Sequence, residues 1–292
     1  MRGTVDGFSY GAVTPVVAYL MACLGGGLGL RCTTRSLLVT HSKRPAWLAL
    51  GAASIGSGMW TMHFVAMMGF TIRGTPVHYD MPIAFASLGL AVVMVGVGIF
   101  IVGYRGATGI PLFTGGTITG LGVASMHYLG MAGVRFDGWF TYNTLIVAAS
   151  VVIAVVAASA ALWAAGRVRG FLWSAGASLV MGLAASGMHY TGMAALSVHL
   201  DSHPHGTAGA PTVSVLGPVL IGPLVFLLLA GVVVLRDPLL IMGGSVGTSV
   251  EYKPGVPAAS VALRPDRRPA RHEARGSVGR PEHLGSRAPQ SR

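Results

Sequence analysis

The chain has 292 residues, of which 52% are hydrophobic and only 10% are charged, and its mean hydropathy is +0.66. Soluble globular domains carry about 25% charged residues, so this composition excludes an ordinary soluble domain and indicates an integral membrane protein. The formal net charge is +11, and the charged residues are gathered in short clusters between long uncharged stretches.

Seven uncharged stretches are long enough to cross a bilayer, which needs about 20 apolar residues in a helix. Lipid cannot satisfy an exposed backbone, so helices are expected. We predict an all-α bundle of seven transmembrane helices within residues 1–236, the first retained and not a cleaved signal peptide because its apolar run is too long. The predicted ranges are 10–30, 46–70, 81–104, 110–133, 143–166, 172–196 and 213–235.

Lysine and arginine are concentrated in alternate loops, after the first, third and fifth predicted helices. Cytoplasmic loops are enriched in these residues, so the N-terminus is predicted outside and the C-terminus inside. The enriched loops hold Arg31, Arg35, Lys43, Arg44, Arg105, Arg167 and Arg169, whereas the alternate set holds Arg2, Arg73 and Arg135.

Residues 237–292 form a basic tail rich in proline and arginine. Too few apolar residues are present to bury a core, so the tail is predicted to be disordered. A basic cytoplasmic segment beside a membrane is attracted to anionic lipid head groups. Its arginine-rich part has no interleaved aromatic residues, and nucleic-acid binding is therefore not expected.

One pattern, Met-His-aromatic-x-small-Met, occurs three times, at 62–67, 126–131 and 188–193. The histidines are 64 and 62 residues apart, a period that holds two helices and their loops. The second, fourth and sixth helices therefore run in the same direction, and the pattern predicts three internal two-helix repeats with the motifs at one depth near the outer face. Each histidine and the methionine four residues later share a helix face.

Imidazole and thioether ligands together suit copper, as Cu(I) or Cu(II), and make poor magnesium or calcium sites. The motifs predict a site for one or two copper ions. Haem with axial histidine and methionine is an alternative, as is a metal-free scaffold with hydrogen-bonded histidines. The ligands that this spacing predicts are His63, Met67, His127, Met131, His189 and Met193.

The predicted helices contain neither aspartate nor glutamate, which disfavours a proton-relay pump, since such pumps use membrane carboxylates. No nucleophile–base pair appears in them, so we do not expect an enzyme. Copper transport or delivery is a second hypothesis, and it needs a deeper tier of ligands. The candidates for that tier are Met21, Met94 and Met181.

Two further groups of residues lie near the predicted interfaces. Four histidines on the outer side, with Asp201, form either a metal-capturing surface or a solvated loop: His78, His199, His203 and His205. Four tryptophans are interpreted as interfacial belt residues: Trp47, Trp60, Trp139 and Trp173.

The motif resembles that of the MHYT domain, a bacterial integral-membrane sensor module. "MHYT" stands intact at 188–191, with the variants "MHFV" at 62–65 and "MHYL" at 126–129. The resemblance implies a multi-pass protein of the bacterial plasma membrane that binds copper and senses oxygen, carbon monoxide or nitric oxide. The copper ligands that it implies are Met62, His63, Met67, Met126, His127, Met131, Met188, His189 and Met193. Family members are often fused to cytoplasmic domains that make or degrade cyclic di-GMP, so we expect a separate cytoplasmic partner to supply the output here.

Overall fold

The computed structural model describes residues 2–3, 5–7, 9–73, 75–167, 171–200 and 212–237. The predicted tail after Asp237 lies outside these ranges, as do Asp201, His203 and His205. The described part contains seven long helices, each overlapping a predicted one, so the all-α class is confirmed. They are α1 (Val13–Ser36), α2 (Arg44–Met68), α3 (Met81–Arg105), α4 (Gly109–Ala132), α5 (Thr144–Arg167), α6 (Phe171–Ala194) and α7 (Thr212–Leu235).

Among the described residues, four helices are long and apolar enough to cross a membrane. They are Val13–Ser36, Met81–Arg105, Thr144–Arg167 and Leu216–Leu235, which belong to α1, α3, α5 and α7. The helices α2, α4 and α6 carry the motifs and are less apolar. The chain thus has the character of a membrane protein.

Short strands, which the sequence did not predict, lie beside the helices. They are β1 (Arg2–Gly3), β2 (Val5–Asp6), β3 (Thr71–Ile72), β4 (His78–Tyr79), β5 (Val134–Arg135), β6 (Gly138–Tyr142) and β7 (Leu196–Leu200). Antiparallel pairs join β2 to β3, β4 to β5, and β6 to β7, and β1 adds to the far edge of β7.

The strands reveal the repeating unit of the fold. Each motif helix is followed within three residues by a strand, and that strand pairs with the strand that precedes the previous helix. The units are therefore β2-α1-α2-β3, β4-α3-α4-β5 and β6-α5-α6-β7. Each is a helical hairpin closed by two paired strands, and all three closures lie beyond the C-terminal ends of α2, α4 and α6.

Six helices form a closed ring around a central axis. Each helix from α1 to α6 contacts the next, and α6 contacts α1, whereas α7 packs outside the ring against α2 and α1. Glycines allow the closest approaches, because small residues let helix backbones touch. A Cβ atom built on Gly25 of α1 would lie 2.6 Å from Cα of Gly58 in α2.

The end of the bundle opposite the strands is held by a buried ion pair. Nε of Arg35 donates to Oδ2 of Asp237 over 2.6 Å, and both side chains are nearly buried. The structure places Arg31 and Arg35 in the last turns of α1 and Arg44 at the first residue of α2. The connection between these helices is therefore shorter than the charge pattern predicted.

Candidate metal centre

Three histidines from three repeats meet on the central axis. His63, His127 and His189 each lie five residues before the last residue of α2, α4 and α6, so equal helix positions bring them to one depth. Each is only 1% exposed. Their Nδ1 atoms form a triangle with sides of 3.2 Å in all three pairs. We call this group the histidine triangle.

The dimensions of the triangle suit a single metal ion. The centre of an equilateral triangle with 3.2 Å sides lies about 1.8 Å from each corner. Imidazole nitrogens bind zinc, a first-row metal ion, at about 2.0–2.1 Å, so His63, His127 and His189 could together hold one ion of that size. The rings are nearly perpendicular, with centroids 5.0–5.1 Å apart.

Hydrogen bonding alone cannot satisfy the three Nδ1 atoms. A neutral imidazole nitrogen either carries a hydrogen or offers a lone pair. Whatever the tautomers, at least one pair in a triangle must then set two lone pairs or two hydrogens against each other. A cation at the centre would accept all three lone pairs at once, so the donor set fits a metal ion.

The small residue of the second and of the third motif packs against the histidine of the preceding repeat. A Cβ atom on Gly130 would lie 2.6 Å from Nε2 of His63, and one on Gly192 would lie 2.5 Å from Nε2 of His127. At both glycines an imidazole fills the space that a side chain would take. Neither Nε2 atom has a hydrogen-bond partner within the described residues, so the Nε2 side of each ring is held by packing.

Aromatic residues surround the triangle. The ring after each histidine contacts it edge-on, with centroid distances of 4.8 Å for Phe64, 4.8 Å for Tyr128 and 5.0 Å for Tyr190. The hydroxyl of Tyr128 is 2.6 Å from that of Ser150 in α5. This contact ties the second motif to the neighbouring helix.

Trp60 is not the interfacial belt residue that the sequence predicted. It is fully buried one turn before His63, and its Nε1 donates to the carbonyl oxygen of Ala84 and to the hydroxyl of Ser87 in α3. A buried indole N–H needs such acceptors. Trp139 and Trp173, by contrast, are exposed.

The six motif methionines lie on the same helices as the triangle. Met193 is half-buried, and the other five are almost fully buried: Met62, Met67, Met126, Met131 and Met188. A metal ligand and a packing residue are both expected to be buried, so burial does not distinguish the two roles. That the thioethers act as ligands stays a prediction.

The histidines on the strands do not form a second cluster with the described residues. His78 in β4 is exposed opposite Arg135. His199 in β7, which belongs to a different sheet, stacks on Trp139 at a centroid distance of 5.5 Å. Its Nε2 also lies 3.1 Å from the hydroxyl of Thr141. In the described part of the chain, the histidine triangle is the one group of three or more histidine, cysteine or acidic residues close enough to bind an ion.

A cavity of about 50 Å³ lies below the triangle, on the side away from the strands. Sequence reasoning missed it, because many of its lining residues are alanines in an alanine-rich helix. It is lined by Ile55, Met59, Thr119, Val123, Ala154, Ala157, Ala158, Ala161, Leu162, Met181, Ala184, Ala185 and Met188.

Three proteins of related sequence are signalling proteins. The chain is 38% identical over 199 residues to the bifunctional diguanylate cyclase/cyclic di-GMP phosphodiesterase MucR of Pseudomonas aeruginosa, covering 66% of this chain and 29% of that protein. It is 31% identical to the signaling protein YkoW of Bacillus subtilis, covering 68% and 26%. It is 35% identical to the cyclic di-GMP phosphodiesterase NbdA of P. aeruginosa, covering 70% and 27%.

The chain spans less than a third of the length of each of these relatives. No solved structure matches it. Residues 56–115 and 120–177 match the MHYT family, described as a bacterial signalling protein N terminal repeat. The first match contains His63 and the second His127. With these two matched repeats, a third copy of the motif at His189 and three signalling relatives, the chain belongs to the MHYT family.

Proposed function

We propose that this protein is a copper-binding sensor of the bacterial plasma membrane that detects a diatomic gas. The observation that carries the proposal is the triangle of Nδ1 atoms, whose lone pairs a single cation could accept together. Bound copper would supply an open coordination position for oxygen, carbon monoxide or nitric oxide. The residues of the chain position that ion, exclude water from it and connect it to three helices.

The chemistry of the donors favours copper over other ions. Imidazole binds copper, zinc, iron and nickel, whereas thioether ligands select Cu(I). No described helix contains aspartate or glutamate, which disfavours hard cations. Haem is disfavoured because the close approach of the three rings leaves no space for a porphyrin between two axial ligands.

The arrangement of the helices supports seven spans with the N-terminus outside. The strands of all three repeats lie at the end where the motif helices finish, and the Arg35–Asp237 pair lies at the other end. The basic residues of the short loops favour the Arg35 end as cytoplasmic. In this orientation the triangle is near the outer face, and the basic tail from 237 onward meets anionic lipid on the inner face.

The signal would leave through helix movement, with no enzymatic step in this chain. Each histidine of the triangle comes from a different repeat, so a change in coordination shifts α2, α4 and α6 against one another. A cytoplasmic partner would read that shift at the inner loops or beyond α7. MucR and NbdA, whose names refer to cyclic di-GMP enzymes, suggest cyclic di-GMP turnover as the output that such a partner controls.

The test compares metal content and gas response in detergent-purified protein. Wild type is expected to carry stoichiometric copper and to change its spectrum on addition of carbon monoxide. The combined His63→Ala, His127→Ala and His189→Ala variant should lose both properties, whereas the His199→Ala control should keep them. Zinc in place of copper, or copper retained in the triple variant, would refute the copper site. Copper with no response to carbon monoxide would refute gas sensing.

Copper transport is the second candidate, and one observation favours it. Met59, Met181 and Met188 line the cavity below the triangle and could form the deeper tier of soft ligands that transport requires. Of the three methionines predicted for that tier, Met181 lines the cavity, and Met21 and Met94 do not. Copper uptake into vesicles containing the protein would support transport, and a flat uptake curve would remove it.

A further inference from the structure

We infer that the cavity below the histidine triangle is a binding site for a small apolar gas molecule, of the class of oxygen, carbon monoxide and nitric oxide. This inference deepens the proposed sensor function and rests on it for its biological meaning. The binding itself depends on the shape and apolarity of the cavity and does not need a metal ion.

The cavity lies below the triangle, between the three motif helices and α5. Three lining residues precede the histidines by four positions, Met59, Val123 and Ala185, and three precede them by eight, Ile55, Thr119 and Met181. Four residues of helix rise about 6 Å, so the lining begins one turn away from the imidazoles. Met188, which is next to His189 in the chain, also lines the cavity.

The cavity exists because the three repeats differ in side-chain size. At the position four residues before the histidine, the first repeat has Met59, the second has Val123 and the third has only Ala185. The missing volume in the third repeat is not filled from α5, which presents a stripe of small residues at helical spacing. That stripe consists of Ala154, Ala157, Ala158 and Ala161, with Leu162 at its end.

The cavity is large enough for a small molecule but unsuited to water. A water needs about 10–15 Å³ and two to four polar partners, and the volume here is about 50 Å³. Thr119 is the one polar residue in the lining, and its hydroxyl lies against Gly98 of α3 on the far side. Apolar cavities of this kind stay dry and bind apolar molecules.

The cavity adjoins the lipid-facing side of the bundle. Ala157, Ala158 and Ala161 are only half-buried, and α5 is one of the four helices apolar enough to cross a membrane. An apolar gas prefers apolar surroundings to water, so it would enter from the lipid past α5. It would then rest one helical turn from the three imidazoles.

Xenon is the probe for this site, because it binds in apolar cavities and is not a ligand of copper. The experiment measures xenon binding by ¹²⁹Xe NMR to the full chain in detergent, with and without prior removal of metal by a chelator. Wild type should bind xenon in both states. Ala158→Leu fills the cavity from α5 and should weaken binding by about tenfold or more. Ala160→Leu makes the same change on the lipid-facing side of α5 and should leave binding unchanged.

A second variant that fills the cavity tests the inference even if Ala158→Leu fails to fold. Ala185→Met places in the third repeat the residue that the first repeat has at Met59, and it should also weaken xenon binding. The inference is overturned if wild type binds no xenon, if both filling variants bind it as wild type does, or if a tightly held lipid or detergent chain occupies the cavity and blocks xenon.

The result separates this inference from the proposed sensor. Xenon binding without copper in the purified protein would refute the copper sensor and leave the cavity site standing. Copper binding without xenon binding would refute the cavity site and leave the copper site standing. Xenon binding that survives in the triple histidine variant supports a site that is independent of the metal.

Discussion

Gly130 of the second motif packs against His63 of the first, so close that a Cβ atom there would lie 2.6 Å from Nε2 of the imidazole. In the third motif, a Cβ atom on Gly192 would likewise lie 2.5 Å from Nε2 of His127. In both cases the glycine of one motif contacts the histidine of the motif before it. This explains why the second and third motifs have glycine at that position.

Replacement of Gly130 or Gly192 by alanine should therefore displace a ring of the histidine triangle. We expect each variant to lose copper affinity by about tenfold or more, equal to about 1.4 kcal/mol, because an added methyl group must push the imidazole off the common centre. Titration with a copper chelator measures the change. Gly187→Ala is the matched control, since a Cβ there meets nothing within 4 Å on the same helix α6. Wild-type affinity in both glycine variants would refute the packing role.

The methionines four residues after the histidines should contribute to Cu(I) selectivity. Exchange of methionine for leucine conserves volume and usually costs less than about 1.5 kcal/mol of stability. A loss of Cu(I) affinity in such a variant therefore reports the loss of the thioether and not the loss of the fold. We expect the combined Met67→Leu, Met131→Leu and Met193→Leu variant to bind Cu(I) at least about tenfold more weakly. Binding is measured by competition with a Cu(I) chelator. Met68→Leu is the control, and an unchanged affinity in the triple variant would show that the thioethers only pack.

Two arginine–aspartate pairs differ in burial and should differ in their effect on stability. Arg35–Asp237 is nearly buried, with side-chain exposures of 11% and 9%, whereas Arg135–Asp80 has exposures of 60% and 29%. Breaking a buried pair by removing one partner costs about 3–5 kcal/mol, and an exposed pair contributes about 0–1 kcal/mol.

We expect Asp237→Ala to lower the thermal unfolding temperature in detergent clearly more than Arg135→Ala does. The comparison uses one lost partner from each pair, so the two variants control for each other. Equal shifts would show that the Arg35 pair is solvated in the protein. Arg135→Ala is chosen because Asp80 also accepts from the backbone N–H of Ile83 at the start of α3.

Trp60 should stabilise the repeat interface through its indole N–H. Trp60→Phe removes the donor to Ala84 and Ser87 and leaves unfilled volume, so we expect a loss of about 1–3 kcal/mol in the free energy of unfolding. Trp173→Phe, at a residue that is 74% exposed, should change stability by less than about 0.5 kcal/mol. Unfolding by a denaturing detergent measures both. Similar values for the two variants would contradict the buried role of Trp60.

The proposed topology predicts which end of the bundle faces the outside. Single cysteines introduced as Thr141→Cys on β6 and Thr108→Cys before α4 lie at opposite ends, and the native Cys23 and Cys32 are buried. An impermeant thiol reagent applied to whole cells should label the Thr141→Cys variant. The Thr108→Cys variant should react only after permeabilisation. The reverse pattern would invert the topology.

The motif period predicted more of the site than any other feature of the sequence. Spacings of 64 and 62 residues implied co-directional helices with the histidines at one depth, and the structure brings their Nδ1 atoms to 3.2 Å. The prediction of Trp60 as a belt residue was wrong because hydropathy does not distinguish a tryptophan that faces lipid from one that faces a neighbouring helix. The strands were missed because five of the seven described strands are only two residues long.

The sequence by itself determined the membrane character, the helices and the threefold recurrence, because apolar length, charge segregation and spacing are local properties of a chain. The tertiary structure alone decided that α1–α2, α3–α4 and α5–α6 are the repeating hairpins and that glycines contact histidines of other repeats. It also decided that Ala185 and the alanine stripe of α5 line one cavity, which is open on one side. These features depend on which faces of distant helices meet, and side-chain volumes at such contacts have no signature along a single helix.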